Sequence, residues 1–264
     1  MNTTNSVQKP LHESVVLITG ALTGIGRATA IAFAHEGARI VISGRNEKAG
    51  EALTYELRAL GTEAIFVKAD VRYEEDVQRL VEGTVGHFGA LDIAVNNAGT
   101  EGQPGPIVDQ TEESYKATFD TNVLGTLLSM KHELRVMLAQ QYGSIVNISS
   151  TFGTRASAGA SVYVGSKHAV EGMTKAAALE GARSGVRVNA IAPGPTDTDM
   201  LSRFAGSREV LSRLHEGVPM KRLGQPEEVA QAILFIGSSK SPFLSGQILA
   251  VDGAKLAVDS GSLQ

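Results

Sequence analysis

The sequence predicts an α/β protein, a doubly wound parallel sheet of seven strands with helices on both faces. Three observations carry that expectation. Short apolar runs rich in β-branched residues alternate with stretches of helical period, at a spacing of roughly 25 residues. Glycines fall between these runs, where the chain must turn. The chemically distinctive residues gather at the carboxyl ends of the strand-like runs, the edge along which such sheets bind ligands.

In chain order, residues 13–20 (ESVVLITG) are a short apolar run closed by glycine and read as a buried strand. Residues 25–37 keep a helical period and end at Gly37, suited to closing a helix. A second strand at 38–44 leads to a helix at 46–60, and a third strand at 63–70 to a helix at 71–89. The run at 91–99 is a fourth strand, so parallel βα units with right-handed crossovers are expected. A loop over 100–109 carries Gly102, Pro104, Gly105 and Pro106. Residues 111–143 read as one long helix, 143–150 as the fifth strand and 185–194 as the sixth. Between those strands, 160–182 reads as a helix rich in small residues, fit for close packing on the sheet or on another subunit. Residues 196–224 are polar and irregular, 226–238 opens with proline at a helical first turn, and 246–254 closes with a seventh strand. No composition break and no internal repeat interrupt the chain, so one domain over 1–264 is expected.

Composition narrows the function classes. With 264 residues, 42% hydrophobic and 20% charged, the chain suits a folded globular protein and not a disordered or collagen-like one. A net charge of -4 offers no nucleic-acid surface. The absence of cysteine excludes disulfides, thiolate catalysis and cysteine-bound metal, and it fits the cytoplasmic location expected here. MNTTNSVQKP lacks the apolar core of a signal peptide, and no run is long enough to span a membrane.

Gly20, Gly24 and Gly26, with Thr23 and Ile25 among them, join the first strand to the first helix. Glycines there let a pyrophosphate approach the backbone, where the helix N-terminus stabilises it. No Gly-Lys-Ser/Thr follows, so this is not the phosphate loop of nucleotide hydrolases. The second strand ends Gly44-Arg45, where NAD sites place an acidic residue on the ribose. An arginine there fits a 2'-phosphate, which favours NADP(H) and leaves NAD(H) as the alternative. Asp70, followed by Val71, ends the third strand, where it would accept from adenine or cap the next helix. Asn96, Asn97, Ala98 and Gly99 end the fourth; Asn96 reads as a structural amide tying strand ends.

Ser150, Tyr163 and Lys167 carry the chemistry. Tyr163 and Lys167 are four apart, on one helix face, and Ser150 ends a strand thirteen residues upstream. Reduction of a carbonyl needs a proton on its oxygen, and a phenol with an ordinary pKa near 10 gives one poorly unless its phenolate is stabilised. A nearby ammonium provides that charge and can hold the nicotinamide ribose, while a serine hydroxyl fixes the substrate oxygen. The scattered histidines show no metal spacing, so no metal is expected, and the Met and aromatic positions read as ordinary core.

Taken together, Thr19-Gly20-x-x-x-Gly24-Ile25-Gly26, Asp70, Asn96-Asn97-Ala98-Gly99, Asn122, Ser150, Tyr163-x-x-x-Lys167 and Pro193-Gly194 resemble the classical short-chain dehydrogenases/reductases over about 13–254. The resemblance implies a Rossmann-type fold, with Tyr163 as catalytic acid/base, Ser150 as its partner and Lys167 lowering the tyrosine pKa. It implies that Asn122 holds a water of a proton relay. Pro193 and Gly194, with Thr196 and Thr198, match the nicotinamide-side loop, and about 196–220 matches a substrate lid. In that lid Met200, Leu201, Phe204, Leu211 and Leu214 offer an apolar wall, and Arg155 or Arg203 single polar contacts. The family is typically tetrameric, so a homotetramer is expected. The function expected is hydride transfer between NADP(H) and a ketone or secondary alcohol. The alternatives are an NAD(H)-linked sugar or polyol dehydrogenase, a 3-oxoacyl-thioester reductase, and a dinucleotide-binding sensor or scaffold without chemistry.

Overall fold

The computed structural model describes residues 11–257, so the polar opening read above lies outside them, as do 258–264. The sheet has seven strands, all pairings parallel: β1 (Val15–Thr19), β2 (Arg39–Gly44), β3 (Ala64–Lys68), β4 (Ile93–Asn96), β5 (Gly143–Ile148), β6 (Val186–Pro193) and β7 (Ile248–Val251). Their order is β3-β2-β1-β4-β5-β6-β7, so the direction of winding reverses between β1 and β4. The register there pairs Val16 with Ile93 and Thr19 with Asn96. A crevice opens beyond the carboxyl ends at such a reversal.

Side chains alternate across the sheet as strand geometry requires. Val16, Ile18, Ile40 and Ile42 pack with α1 (Gly24–His35) and α9 (Pro226–Gly237) on one face. Leu17, Val41, Ala94 and Ile145 pack on the other, with α3 (Glu74–Phe88), α5 (Gly125–Gln140) and α6 (Ser161–Gly181). Every residue of β1 is buried, as expected of a central parallel strand covered on both sides. The predicted strands were longer by up to a few residues at their carboxyl ends, because the residues there leave the ladder and turn toward the crevice.

The helix expected over 111–143 is a correction. It divides into α4 (Glu112–Phe119), a π-helical turn at Asp120–Leu124, and α5. Within the turn the Gly125 N–H donates to the Asp120 carbonyl five residues back, and the Thr126 hydroxyl donates to the Asn122 carbonyl at 2.8 Å. Gly125 is required here, since a Cβ would stand 2.6 Å from Val71 Cγ2. Such turns gather at functional sites.

Two further helices complete the chain between β6 and α9, α7 (Asp199–Ala205) and α8 (Arg208–Glu216), where the sequence was least regular. Helix α2 (Glu47–Ala59) covers β2 and β3. Among the described residues no helix is long and apolar enough to cross a membrane, and no group of residues is placed to hold a metal ion.

Candidate active site

A crevice of about 1240 Å³ runs along the carboxyl ends of the strands. That exceeds the roughly 300–1,000 Å³ of a site for one small ligand, and suits a dinucleotide with a substrate beside it. All the candidate residues line it except Gly26 and Asn122, which stand behind it.

At the winding reversal, Gly20 and Gly24 adopt φ of +61° and +52°. A Cβ on Gly20 would stand 2.7 Å from Ala98 Cα, and one on Gly26 would stand 2.4 Å from both Asn97 Nδ2 and the Gly20 carbonyl oxygen. Asn97 closes the turn by donating to the Thr19 and Gly20 carbonyls at 3.1 and 2.8 Å. The Thr19 hydroxyl accepts from the Asn97 and Ala98 amides at 3.1 and 3.2 Å. Thr23 is the N-cap of α1 with no side-chain capping bond, so the N–H groups of that first turn face the crevice with no anion from the protein's own cap. This glycine cradle at an uncapped helix start is what a pyrophosphate requires.

At the end of β2, Gly44 is required because Leu22 fills the space beside it, 2.6 Å from where a Cβ would stand. No acidic side chain faces the crevice from that position. Arg45 follows, exposed and without an ion pair among the described residues, and its charge reaches Asp70. The Arg72 guanidinium donates to Asp70 at 2.6 Å and holds its carboxyl below the usual carboxylate range. Asp70 does not cap α3, whose N-cap is Tyr73.

Asn96 is the structural amide expected. It donates to Glu133 at 2.9 Å and to Asn147 at 3.0 Å, and Asn147 donates to Thr174 at 2.9 Å. Burial pushes the Glu133 carboxyl up to about 8, against the Asn96 donor. The side chain of Asn122 is fully engaged: its oxygen accepts from the Thr100 amide at 2.8 Å, and its nitrogen donates to the Thr100 carbonyl and to Ser166. It thereby fastens the loop after β4 to α6.

Ser150, Tyr163 and Lys167 meet in one stretch of the crevice. Lys167 is buried and donates to the Ile148 carbonyl at 2.9 Å, with its nitrogen 5.6 Å from the Tyr163 ring centre. Tyr163 keeps part of its surface open to the crevice, yet burial pushes its phenol up to about 12. The neighbouring Ser150 hydroxyl opposes that rise, and the negative charge of Glu101 adds to it. Burial takes Lys167 down to about 8. Desolvation is the largest cause of both shifts, and it moves each group toward its neutral form.

Phe152, read with the other aromatic positions as core, lines the crevice instead, beside the Phe204 of the expected lid wall. Phe152 and Phe204 stand 6.2 and 6.5 Å from the Tyr163 ring and 6.1 Å from each other, a triangle around the phenol. Met200, Leu201 and Leu214 also line the crevice, whereas Leu211 does not. Glu101 was missed altogether. Its carboxylate accepts from Arg203 on α7 at 2.6 and 3.2 Å, a two-point bond across the mouth. No spacing rule joins positions 101 and 203, so only the folded chain shows this pair.

A nucleotide-cradling doubly wound sheet with a serine, a tyrosine and a lysine at its crevice defines a dinucleotide-dependent oxidoreductase. The family model described as Enoyl-(Acyl carrier protein) reductase matches residues 20–254. The A-factor type gamma-butyrolactone 1'-reductase (1S-forming) of Streptomyces virginiae is 42% identical over 92% of this chain and 95% of its own. The cyclohexanol dehydrogenase of Acinetobacter sp. is 40% identical over the same shares. The crystal structure of levodione reductase superposes with a TM-score of 0.91 at 32% identity, covering 94% of this chain and 99% of that one. The chain belongs to the short-chain dehydrogenase/reductase family, oxidoreductases that use a nicotinamide dinucleotide.

Proposed function

We propose that the protein is an NADP(H)-dependent reductase of ring ketones and dehydrogenase of the matching secondary alcohols. The observation that carries this reading is the aromatic triangle of Phe152, Tyr163 and Phe204 closing on the Ser150 hydroxyl. Flat apolar walls around a proton donor suit a compact ring whose carbonyl is its polar end. The cyclohexanol dehydrogenase relative supports that substrate class.

Gly20, Thr23, Gly24 and Ile25 would hold the pyrophosphate, Asp70 and Val71 the adenine, and Arg45 the 2'-phosphate. Asn97, Ala98 and Gly99, with Pro193, Gly194, Thr196 and Thr198, would hold the nicotinamide side. Gly26 makes room behind the turn. A nicotinamide bound there supplies the hydride for the carbonyl carbon, or accepts it in oxidation. Ser150 donates a hydrogen bond to the carbonyl oxygen, and Tyr163 delivers the proton to that oxygen. Lys167, fixed by the Ile148 carbonyl, holds the ribose and restores the proton to the phenolate. Asn122 is a positioning residue that keeps the loop after β4 against α6; its occupied side chain leaves a relay water to its main chain. In this direction Tyr163 must be protonated, a condition met at neutral pH; alcohol oxidation needs the phenolate and gains as pH rises.

In this reading residues 196–220 are a lid over one domain, and the cysteine-free chain works in the cytoplasm. Two apolar faces support a homotetramer: Leu127 and Leu179 are open on α5 and α6, and Phe235, Phe243 and Leu249 on α9 and at the β7 edge.

Fluorescence titration with NADPH and NADH tests the cofactor, and reduction of cyclohexanone the substrate. NADPH is expected to bind at least about tenfold tighter, with Arg45→Ala removing that margin. Equal binding of NADH favours the second reading, an NAD(H)-linked dehydrogenase, which has its own support in Glu47 and Glu51 lining the same end of the crevice.

A further inference from the structure

Five cations line the crevice, of which Arg45, Lys167 and Arg203 have a place above. Arg45 and Lys48 stand at the β2 end, Lys167 is held by the Ile148 carbonyl, and Arg203 by Glu101. The fifth is Lys255, in the turn that follows β7. It is half-buried; its amide donates to the Asp252 carbonyl at 3.3 Å, while its ammonium makes no hydrogen bond or ion pair among the described residues. Burial lowers its pKa, the cost of keeping an ammonium partly out of water with no bonded anion.

The turn that carries it is built with care. Ala254, immediately before it, adopts a left-handed φ of +71°, a conformation that strains a residue with a Cβ. The Asp252 carboxylate holds that shape by accepting from the Ala254 amide at 3.0 Å and the Leu256 amide at 2.7 Å. Both its oxygens are thus committed to the backbone, though its charge still reaches Lys255. On the other side the Arg155 guanidinium donates to the Leu256 carbonyl at 2.6 Å, tying the turn to the segment that leaves Ser150 and Phe152. The Met220 amide donates to the Gly253 carbonyl at 3.3 Å, tying it to the end of the 196–220 segment. Lys255 therefore stands where these three segments meet, on the substrate side of the crevice.

We propose that Lys255 is a substrate-binding residue that pairs with an anionic group, a carboxylate in the first place, on the ring ketone or alcohol whose oxygen lies at Ser150 and Tyr163. This rests on the ring-ketone reading and narrows it to rings that carry a negative charge away from the reacting carbon. The other acids near the compartment do not oppose such a substrate. Glu101 is neutralised by Arg203, and Asp199 is exposed at the first turn of α7.

The test compares 4-oxocyclohexanecarboxylate with cyclohexanone as substrates, using kcat/KM ratios with NADPH. The wild type is expected to prefer the carboxylate by about tenfold or more, Lys255→Met to lose that preference, and Lys255→Arg to keep most of it. A preference that Lys255→Met leaves intact overturns the inference, and so does the lack of any preference in the wild type while both ketones are reduced. NADPH titration of Lys255→Met is expected to match the wild type; a large loss would assign the ammonium to the cofactor and overturn the inference. Calorimetric binding of cyclohexanecarboxylate separates this proposal from the reading beneath it. If neither ketone is reduced but that acid binds the wild type and not Lys255→Met, the anion site stands and the ring-ketone reading falls. If it binds neither protein, the anion site falls as well.

Discussion

The two halves of the crevice are held in different ways. On the dinucleotide side, backbone is bonded to backbone and to short side chains. Asn97 and Thr19 together make four hydrogen bonds around the glycine turn, and a Cβ on Gly20 or Gly26 has nowhere to go. On the substrate side α8 has no buried residue, and α7 reaches across the mouth through the Arg203–Glu101 pair and the Phe204 ring. The first half is fixed by covalent shape and short reach, the second by contacts between long side chains. A half of the first kind recognises one invariant ligand; a half of the second kind can change its ligand by changing a few side chains.

The largest effect is expected where the halves meet. Tyr163→Phe should lower turnover by about 10²–10⁴, the usual reach of one general acid, while NADPH binds as before. Loss of cofactor binding in step with activity would show that the phenol belongs to the dinucleotide side instead. Gly26→Ala strikes within that side. Its Cβ would meet Asn97 Nδ2 and the Gly20 carbonyl, so a loss of about 1–3 kcal/mol in stability and weaker NADPH binding are expected. Unchanged denaturation and titration curves would mean that the turn is not rigid.

A smaller effect lies beneath the strand ends. Glu133 keeps its proton in the folded chain up to about pH 8, whereas unfolded it ionises near its ordinary 4.5. Unfolding thus releases a proton between those values, so stability from this group falls as pH rises through the window and levels off above it. Glu133→Gln should remove that slope and gain at least about 1 kcal/mol at pH 7.5, read by urea denaturation at pH 5 and 7.5. A loss at both values would mean that Asn96 and Asn147 depend on the carboxyl group itself. The smallest effect is Arg203→Met. The guanidinium is largely exposed, so stability should change by less than about 1 kcal/mol, while KM for the ketone rises a few-fold and NADPH affinity holds. A matching fall in NADPH affinity would erase the distinction between the halves.

The same distinction explains what could be read in the chain. The seven strands and their order of appearance follow from apolar runs and glycines, which are local signals. Gly20, Gly24, Gly26, Asn97 and the Tyr163–Lys167 spacing are local too, and all of them reach the crevice apart from Gly26, which makes space behind it. Glu101 with Arg203, Phe152 with Phe204, and the half-buried Lys255 depend on segments brought together from about a hundred residues or more of separation in two cases, and no period marks them. The single long helix expected at 111–143 failed for another reason: neither proline nor an unusual residue announces the π turn.

That turn is where the chain carries one residue more than a plain helix needs. An α-helix bonds each N–H to the carbonyl four residues back and the π turn to the one five back, so removing one residue from Asp120–Leu124 would let the turn close as ordinary α-helix with α5 still facing the core. Leu128, Leu134 and Met137 would keep their buried places, while Asn122 would lose the position from which it holds Thr100 and Ser166. The extra step serves the loop after β4 and the crevice, not the packing of the helix.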